Sequence, residues 1–423
     1  MNVLILGGGG REHALGYKVS KSNKLNELFF MPGNAGTASI GQNITGNPVN
    51  FEEVKEAVLT RKIQMVVVGP EAPLVEGITD FFLSDPKLKD IFVIGPDKVG
   101  AQLEGSKDFA KRFMQKNNIP TARYGTFTKD NMEEASDFLK TTTPPYVLKA
   151  DGLAAGKGVL IIDDLNEALR ELEEMFSGKF GEASEKVVIE EFLNGIEVSV
   201  FVLTDGQNYV LLPEAKDYKR VSEGDKGLNT GGMGSVSPVP FADNEFLTKV
   251  KSRIIDPTMD GLQRIGARYK GFVFLGLMNV QGDPYVIEYN VRLGDPEAEA
   301  VLPRVDVDLL DLLEGVAEGD LRDRSFQLSK KASATVILAS GGYPEKYEKG
   351  KVISGLKDVR DQLVFHAGTK KSGDDIVTSG GRVLAITGMA ESMDEAIKSA
   401  YAGAGKIEFD QKYFRKDIGF DIL

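Results

Sequence analysis

The sequence predicts a multidomain fold of α/β and α+β class, with a parallel α/β domain first, a central α+β region, and a small β-rich domain last. Three observations lead there. Over residues 1–103, short apolar runs alternate with helix-like stretches, the βαβ rhythm of a parallel sheet. At 423 residues the chain is too long for one hydrophobic core, given domains of about 150 residues. Past residue 327 the rhythm gives way to short strands separated by glycine turns.

Residues 3–6, 28–31, 65–68 and 91–94 are apolar and each is followed by Gly or Pro, so they read as buried strands of a sheet with helices on both faces. Ligands of such sheets bind beyond the carboxyl ends of the strands. Those ends carry Gly7-Gly8-Gly9-Gly10, Pro32-Gly33-Asn34 and Gly69-Pro70-Glu71. A helical pattern then runs from Gly105-Ser106-Lys107 to about Asn117, Pro120 breaks it, and a new segment starts near Tyr124. Pro144-Pro145 precedes a strand at 146–149 that opens onto a glycine loop. Further strands are predicted at 187–189, 198–203, 209–212, 272–278 and from 286. In the last region they fall at 334–338, 351–354 and 382–386. The expected domains are 1–103, 104–326 with a subdomain at about 124–190, and 327–423.

Composition removes several function classes. There is no cysteine, which excludes disulfides, thiolate metal sites and thiol catalysis. The only histidines, His13 and His366, lie far apart in sequence; that separation argues against a His-rich metal site and a Ser-His-Asp triad, and each reads as structural. A net charge of -12 argues against nucleic-acid and anionic-membrane partners, so anionic small substrates need local basic pockets. The amino terminus enters a strand at once, without the features of a signal peptide, and no apolar run approaches about 18 residues. A soluble, cytoplasmic protein is expected.

The segment from Val286 to Glu297 concentrates the chemistry. Glu288 and Asn290, two apart on a strand, project to one side and offer paired oxygen ligands for a hard ion such as Mg²⁺. Arg292 follows as an anion clamp, and after Gly294 a turn presents Asp295 before Pro296. Alone, this segment fits equally well a plain strand and polar turn.

The glycine loops are read with it. Gly7-Gly8-Gly9-Gly10-Arg11-Glu12-His13 opens a helix and suits an anion, but it breaks the G-x-G-x-x-G fingerprint. The second strand also lacks the acid that a nicotinamide site places there, which disfavours NAD; a phosphate monoester or a bare structural turn remain. Lys149-Ala150-Asp151-Gly152-Leu153-Ala154-Ala155-Gly156-Lys157-Gly158 is not a Walker A sequence, yet a glycine hairpin with Lys149 and Lys157 can close over phosphates. A plain hairpin is the alternative. Glu190-Glu191-Phe192-Leu193 can form a nucleotide hinge, with Glu197 accepting from ribose hydroxyls, or simply be solvated. Asp217-Tyr218-Lys219-Arg220 and Asn229-Thr230-Gly231-Gly232-Met233-Gly234 mix basic residues with a flexible turn, as an anionic substrate or mere solvation requires.

Taken in order, these segments resemble the ATP-grasp ligases and, within them, the phosphoribosylamine-glycine ligase family, also called glycinamide ribonucleotide synthetases. Gly69-Pro70-Glu71-Ala72-Pro73-Leu74, Leu103-Glu104-Gly105-Ser106-Lys107 and Arg292-Leu293-Gly294-Asp295-Pro296-Glu297 extend the likeness over nearly all 423 residues. The resemblance implies a central ATP-grasp fold with a mobile glycine-loop lid, and a last domain that helps close the site. It implies that ATP, with Mg²⁺ or Mn²⁺, drives ligation of glycine to 5-phosphoribosylamine through glycyl phosphate, by a monomer. No Cys, Ser or His nucleophile is needed, because the substrate carboxylate is itself activated.

Carried onto this sequence, the family places the metal on Glu288 and Asn290, and ATP phosphates on Lys107, Lys149, Gly156 and Lys157. It places the nucleoside on Glu190, Leu193 and Glu197, the transferring phosphoryl group on Arg292, and glycine on Asp295. The sugar phosphate falls to Gly9, Gly10 and Arg11, with Glu71 near its hydroxyls and Asp217 toward its amine. One departure stands out: Tyr218 occupies a position where the family often has His. A phenol with a pKa of about 10 is a poor proton carrier at neutral pH, so Tyr218 is expected only to pack or hydrogen-bond. Rival readings are an ATP-grasp ligase for another carboxylate, a dehydrogenase, and a silent nucleotide-binding regulator.

Overall fold

Five strands form the first sheet: β1 (Asn2–Gly7), β2 (Glu27–Pro32), β3 (Gln42–Asn43), β4 (Met65–Val68) and β5 (Phe92–Ile94). The computed structural model, which describes residues 1–153 and 158–422, orders them β3-β2-β1-β4-β5, all parallel. Their continuous apolar character follows from burial on both faces. Val3 and Ile5 pack into one core and Leu4 and Leu6 into another, and the residues of β2 and β4 alternate in the same way. The chain leaves β1 in one direction and returns to β4 on its other side. The loops after these two strands, with Gly7–Gly10 and Gly69–Glu71, therefore flank the crevice where such sheets bind ligands.

The central region opens with helix Lys107–Lys116, whose N-cap Ser106 accepts from the Phe109 amide at 3.1 Å. A four-stranded antiparallel sheet follows, made of β6 (Tyr124–Thr128), β7 (Tyr146–Ala150), β8 (Val159–Ile162) and β9 (Lys186–Glu190) in the order β6-β9-β7-β8. Helices Met132–Lys140 and Leu165–Phe176 give it a core of its own around Leu148, Leu172 and Ile189. The turn between β7 and β8 contains the expected phosphate contacts Gly156 and Lys157, which lie outside the described residues.

Next come β10 (Ile196–Thr204), β11 (Tyr209–Leu211), β12 (Lys216–Asp217), the hairpin β13 (Arg220–Ser222) and β14 (Lys226–Asn229), β15 (Gly234–Ser237), β16 (Gly271–Val280) and β17 (Asp283–Asn290). Four of these make an antiparallel sheet, β11-β10-β16-β17. The last region supplies β18 (Ala332–Ala339), β19 (Leu363–His366), the hairpin β20 (Thr369–Ser372) and β21 (Asp375–Thr378), and β22 (Arg382–Ala390). Its antiparallel sheet, β12-β15-β18-β22-β19, takes two strands from the central region, and helix Met393–Ala404 packs on it through Ala396 and Ala400. The strand predicted at 351–354 is absent: Val352 and Ser354 make only isolated bridges to Val377 and Glu408.

The two histidines meet at the joint between first and last regions. His13 Nδ1 accepts from the His366 amide at 2.8 Å, and the ring centroids lie 5.6 Å apart. Distance in sequence thus misjudged their proximity. Their geometry is nonetheless structural, since that His13 nitrogen is committed to a backbone donor.

Candidate functional site

A bulge in β17 aims the site. Leu277 faces Val286 and Gly276 faces Glu288, so Ile287 is the extra residue. Without it Val286 would share a face with Glu288 and Asn290. With it, Val286 and Tyr289 enter the core, while Glu288 and Asn290 line a cavity of about 440 Å³. The Ile287 carbonyl accepts from Lys149 Nζ at 3.4 Å. Opposite, Gly276 leaves room, because a Cβ there would sit 3.0 Å from Glu288 Cγ.

Three lysines face these oxygens. Lys149 and Lys111 hold Glu190 between them, at 2.9 and 2.8 Å, and Lys111 and Glu190 are 2% and 4% exposed. Burial opposes the Glu190 charge, but Lys149 and Lys111 keep its carboxyl below the usual range. The same burial pushes the Lys111 ammonium down to about 8, with Glu190 opposing the shift. Two cations on one carboxylate leave a positive excess for an anion. Glu190, expected on the nucleoside, lines the same cavity while paired with these lysines. Lys107 donates to the Gly152 carbonyl at 3.3 Å, and burial lowers its pKa against the pull of Glu288.

The donor set fits a hard cation. Among the described residues no ion pair or hydrogen bond engages the Glu288 carboxylate, and Asn290 Oδ1 accepts a single bond, from Arg292 Nη2 at 3.0 Å. A carboxylate and an amide oxygen with a free lone pair are what Mg²⁺ takes from a protein when phosphates and water supply the rest.

Arg292 is fixed by Glu104, whose Oε1 lies 2.7 Å from Nη2 and whose Oε2 accepts from the Val291 amide at 2.8 Å. Its Nε is buried and finds no hydrogen-bond acceptor among the described residues, Glu71 Oε2 being 3.5 Å away. A fixed guanidinium with an unused donor can serve an anion. Glu71 lines the same cavity; burial opposes its charge, and Arg292 and Arg11 hold its carboxyl below the usual range.

Asp295 is paired with Arg382, Oδ1 to Nη2 at 2.9 Å, and the two line both this cavity and a second of about 300 Å³. Gly8, Gly9, Asn34, Gly368, Thr369 and Ser379 complete much of the second wall. Of the residues expected on the sugar phosphate, Gly9 lines this smaller cavity and Arg11 the larger one. Gly10 is buried at the start of the following helix, where a Cβ would meet Glu299 Oε1 at 2.1 Å. The loop is also partly self-satisfied: the Gly9 amide donates to Glu12 Oε2 at 2.6 Å, and Arg11 donates to Glu12 at 2.7 Å and to the Leu293 carbonyl at 3.1 Å.

Lys219 bridges two acids, pairing with Glu197 and lying 3.5 Å from Asp217. Burial raises the Asp217 pKa against the pull of Lys219. Leu193 is half-buried on the loop after β9, and neither it nor Glu197 is on the wall of the larger cavity. Tyr218 points away from both cavities into the core of the last region, 1% exposed, and its hydroxyl donates to Asp421 at 2.8 Å. Sequence reasoning missed Lys111, Glu104 and Arg382. Glu104 stood in a motif already noted; Lys111 carries no pattern of its own, and Arg382 comes from a different region of the chain.

Three models of phosphoribosylglycinamide synthetase match: the N domain at residues 1–104, the ATP-grasp (A) domain at 105–298 and the C domain at 333–421. A phosphoribosylamine-glycine ligase of Chlorobaculum tepidum is 46% identical over 431 residues, covering 100% of both chains. One from Escherichia coli is 43% identical over 430 residues, covering 100% of this chain and 99% of that one. The crystal structure of the Thermotoga maritima phosphoribosylamine-glycine ligase superposes with a TM-score of 0.87 at 39% identity, covering 99% of this chain and 100% of that one.

Proposed function

Because the chain belongs to the phosphoribosylglycinamide synthetase family, we propose how its two cavities carry out that family's reaction. It is an ADP-forming ligase of purine biosynthesis that uses ATP to join glycine to 5-phosphoribosylamine. One observation carries the assignment of the chemistry to the larger cavity. Glu288 and Asn290 face Lys107, Lys149 and the unused Arg292 Nε, and among the described lining residues there is no Ser, Cys or His to act as a nucleophile.

In the family's reaction the substrate carboxylate itself attacks. A glycine oxygen bonds to the γ-phosphorus of ATP as the bond to the β,γ-bridging oxygen breaks, releasing ADP and leaving glycyl phosphate. The amine nitrogen of phosphoribosylamine then attacks the acyl carbon, phosphate departs, and the nitrogen loses a proton. Lys107 and Lys149, with Lys157 as the expected third, neutralise phosphate oxygens, and Glu190 keeps Lys149 in place. Arg292, steadied by Glu104, stabilises the transferring group. A divalent cation on Glu288 and Asn290, Mg²⁺ or Mn²⁺, supplies further charge neutralisation when bound. The nucleoside lies toward Leu193 and Glu197. Asp295 orients glycine, and the sugar phosphate takes the smaller cavity beside Gly9, with Glu71 near its hydroxyls and Asp217 toward its amine. The protein works as a cytoplasmic monomer, and no helix among the described residues is long and apolar enough to cross a membrane.

Mass identification of the product from ATP, glycine and phosphoribosylamine tests this reading. Glycinamide ribonucleotide is expected. Turnover that instead consumes another carboxylate, such as bicarbonate, would favour the rival ATP-grasp ligase.

A further inference from the structure

Among the described residues the two cavities share Asp295 and Arg382 and no other lining residue. Their ion pair, at 2.9 Å, is therefore the partition between the chambers. Arg382 begins β22 and reaches across to elements of the central region. Its Nη1 donates to the Asp295 carbonyl at 2.7 Å and to the Gly231 carbonyl at 2.6 Å. The guanidinium thus clasps the turn after β17 and the glycine turn before β15 at once.

The glycines there are shaped to this clasp. A Cβ on Gly231 would sit 2.9 Å from Arg382 Cζ, and one on Gly232, where φ is +114°, would sit 2.4 Å from Pro296 Cδ. Gly231 also lines the larger cavity, so the clasp sets the shape of its wall. Under the proposed function, the activated acyl group forms in the larger chamber and the sugar phosphate occupies the smaller one. The sugar phosphate then reaches through the junction toward Glu71 and Asp217, which line the larger chamber alone, and nitrogen meets carbon beside that junction.

We propose that Arg382 is a positioning residue for the ligation, supplied by the last region of the chain, which holds Asp295 and the Gly231-Gly232 turn at the junction beside which acyl phosphate and amine meet. This rests on the functional reading above. An ammonium cannot do the same, since it is a single centre where the guanidinium donates along several directions in one plane.

Steady-state kinetics of Arg382→Lys, Asp295→Asn and the double variant test it, with thermal melting of each. Arg382→Lys is expected to lower kcat/KM for glycine and phosphoribosylamine at least about tenfold, the scale of a small misplacement at a reacting centre, while KM for ATP stays within about twofold. The double variant is expected to lose clearly less than the product of the two single losses, because part of what Arg382 does passes through the Asp295 side chain. Wild-type kcat/KM in Arg382→Lys, losses that multiply in the double variant, or a general rise of all three KM values with a lowered melting point would each overturn it. Wild-type ADP release without glycine and phosphoribosylamine would instead overturn the functional reading.

Discussion

Glu297 sits on the short helix after Asp295, with Ser199 Oγ 3.2 Å from its carboxylate, and burial together with the Asp217 charge pushes its carboxyl up to about 7. In the unfolded chain it ionises near 4.5, so between these values the native state holds a proton that the unfolded state has lost. Stability from this group therefore falls as pH rises from 4.5 through 7, and above that the buried charge is a cost. Glu297→Gln keeps the shape and an acceptor for Ser199. Without substrates it is expected to be more stable than wild type at pH 8 by about 2 kcal/mol, with the gain largely gone at pH 5. Denaturant unfolding at the two pH values checks it, and a larger gain at pH 5 would contradict the sign. Residues of this kind divide by legibility. Glu288 and Asn290 were readable because their spacing is local. The Lys111–Glu190–Lys149 cluster and Arg382 were not, because the fold brings their partners together from separate segments.

At the scale of elements, the parallel sheet was legible because burial on both faces writes unbroken apolar runs into β1, β2 and β4. The two-residue strands β3 and β12 leave no such trace. The β17 bulge was hidden for a different reason: simple alternation puts Val286 beside Glu288 and Asn290, and only pairing with β16 shows the slip. The turn at Gly232 is similar, since its need for glycine comes from Pro296, 64 residues later, and from its φ of +114°. Gly232→Ala strains the backbone and crowds that proline. A loss of at least about 1 kcal/mol is expected, with reduced kcat/KM as the Asp295 turn shifts. An unchanged denaturation midpoint together with full activity would show that the turn tolerates a side chain.

Across the whole molecule, the first and last regions are joined through His13 and His366. Burial, aided for His13 by the neighbouring His366, lowers their pKa values to about 3 and 4. Below the ordinary value of 6.5 the unfolded chain takes up protons that the native joint refuses, so stability is lost as pH falls from 6.5 toward 4. His13→Gln is expected to remove about 2 kcal/mol of that loss between pH 6.5 and 4.5, measured by denaturant unfolding. An acid-stability slope equal to wild type would place the sensitivity elsewhere. The joint also brings β22, and with it Arg382, to the cavity that Glu288 lines, so that one cavity draws on all three regions of the chain. The most direct measurement is ADP release with each substrate omitted in turn, for wild type and Glu288→Ala side by side. Multiple-turnover release is expected from wild type only with ATP, glycine and phosphoribosylamine together, at most one ADP per enzyme from ATP and glycine alone, and none from a folded Glu288→Ala. Release that persists without glycine, or full activity in Glu288→Ala, would contradict it.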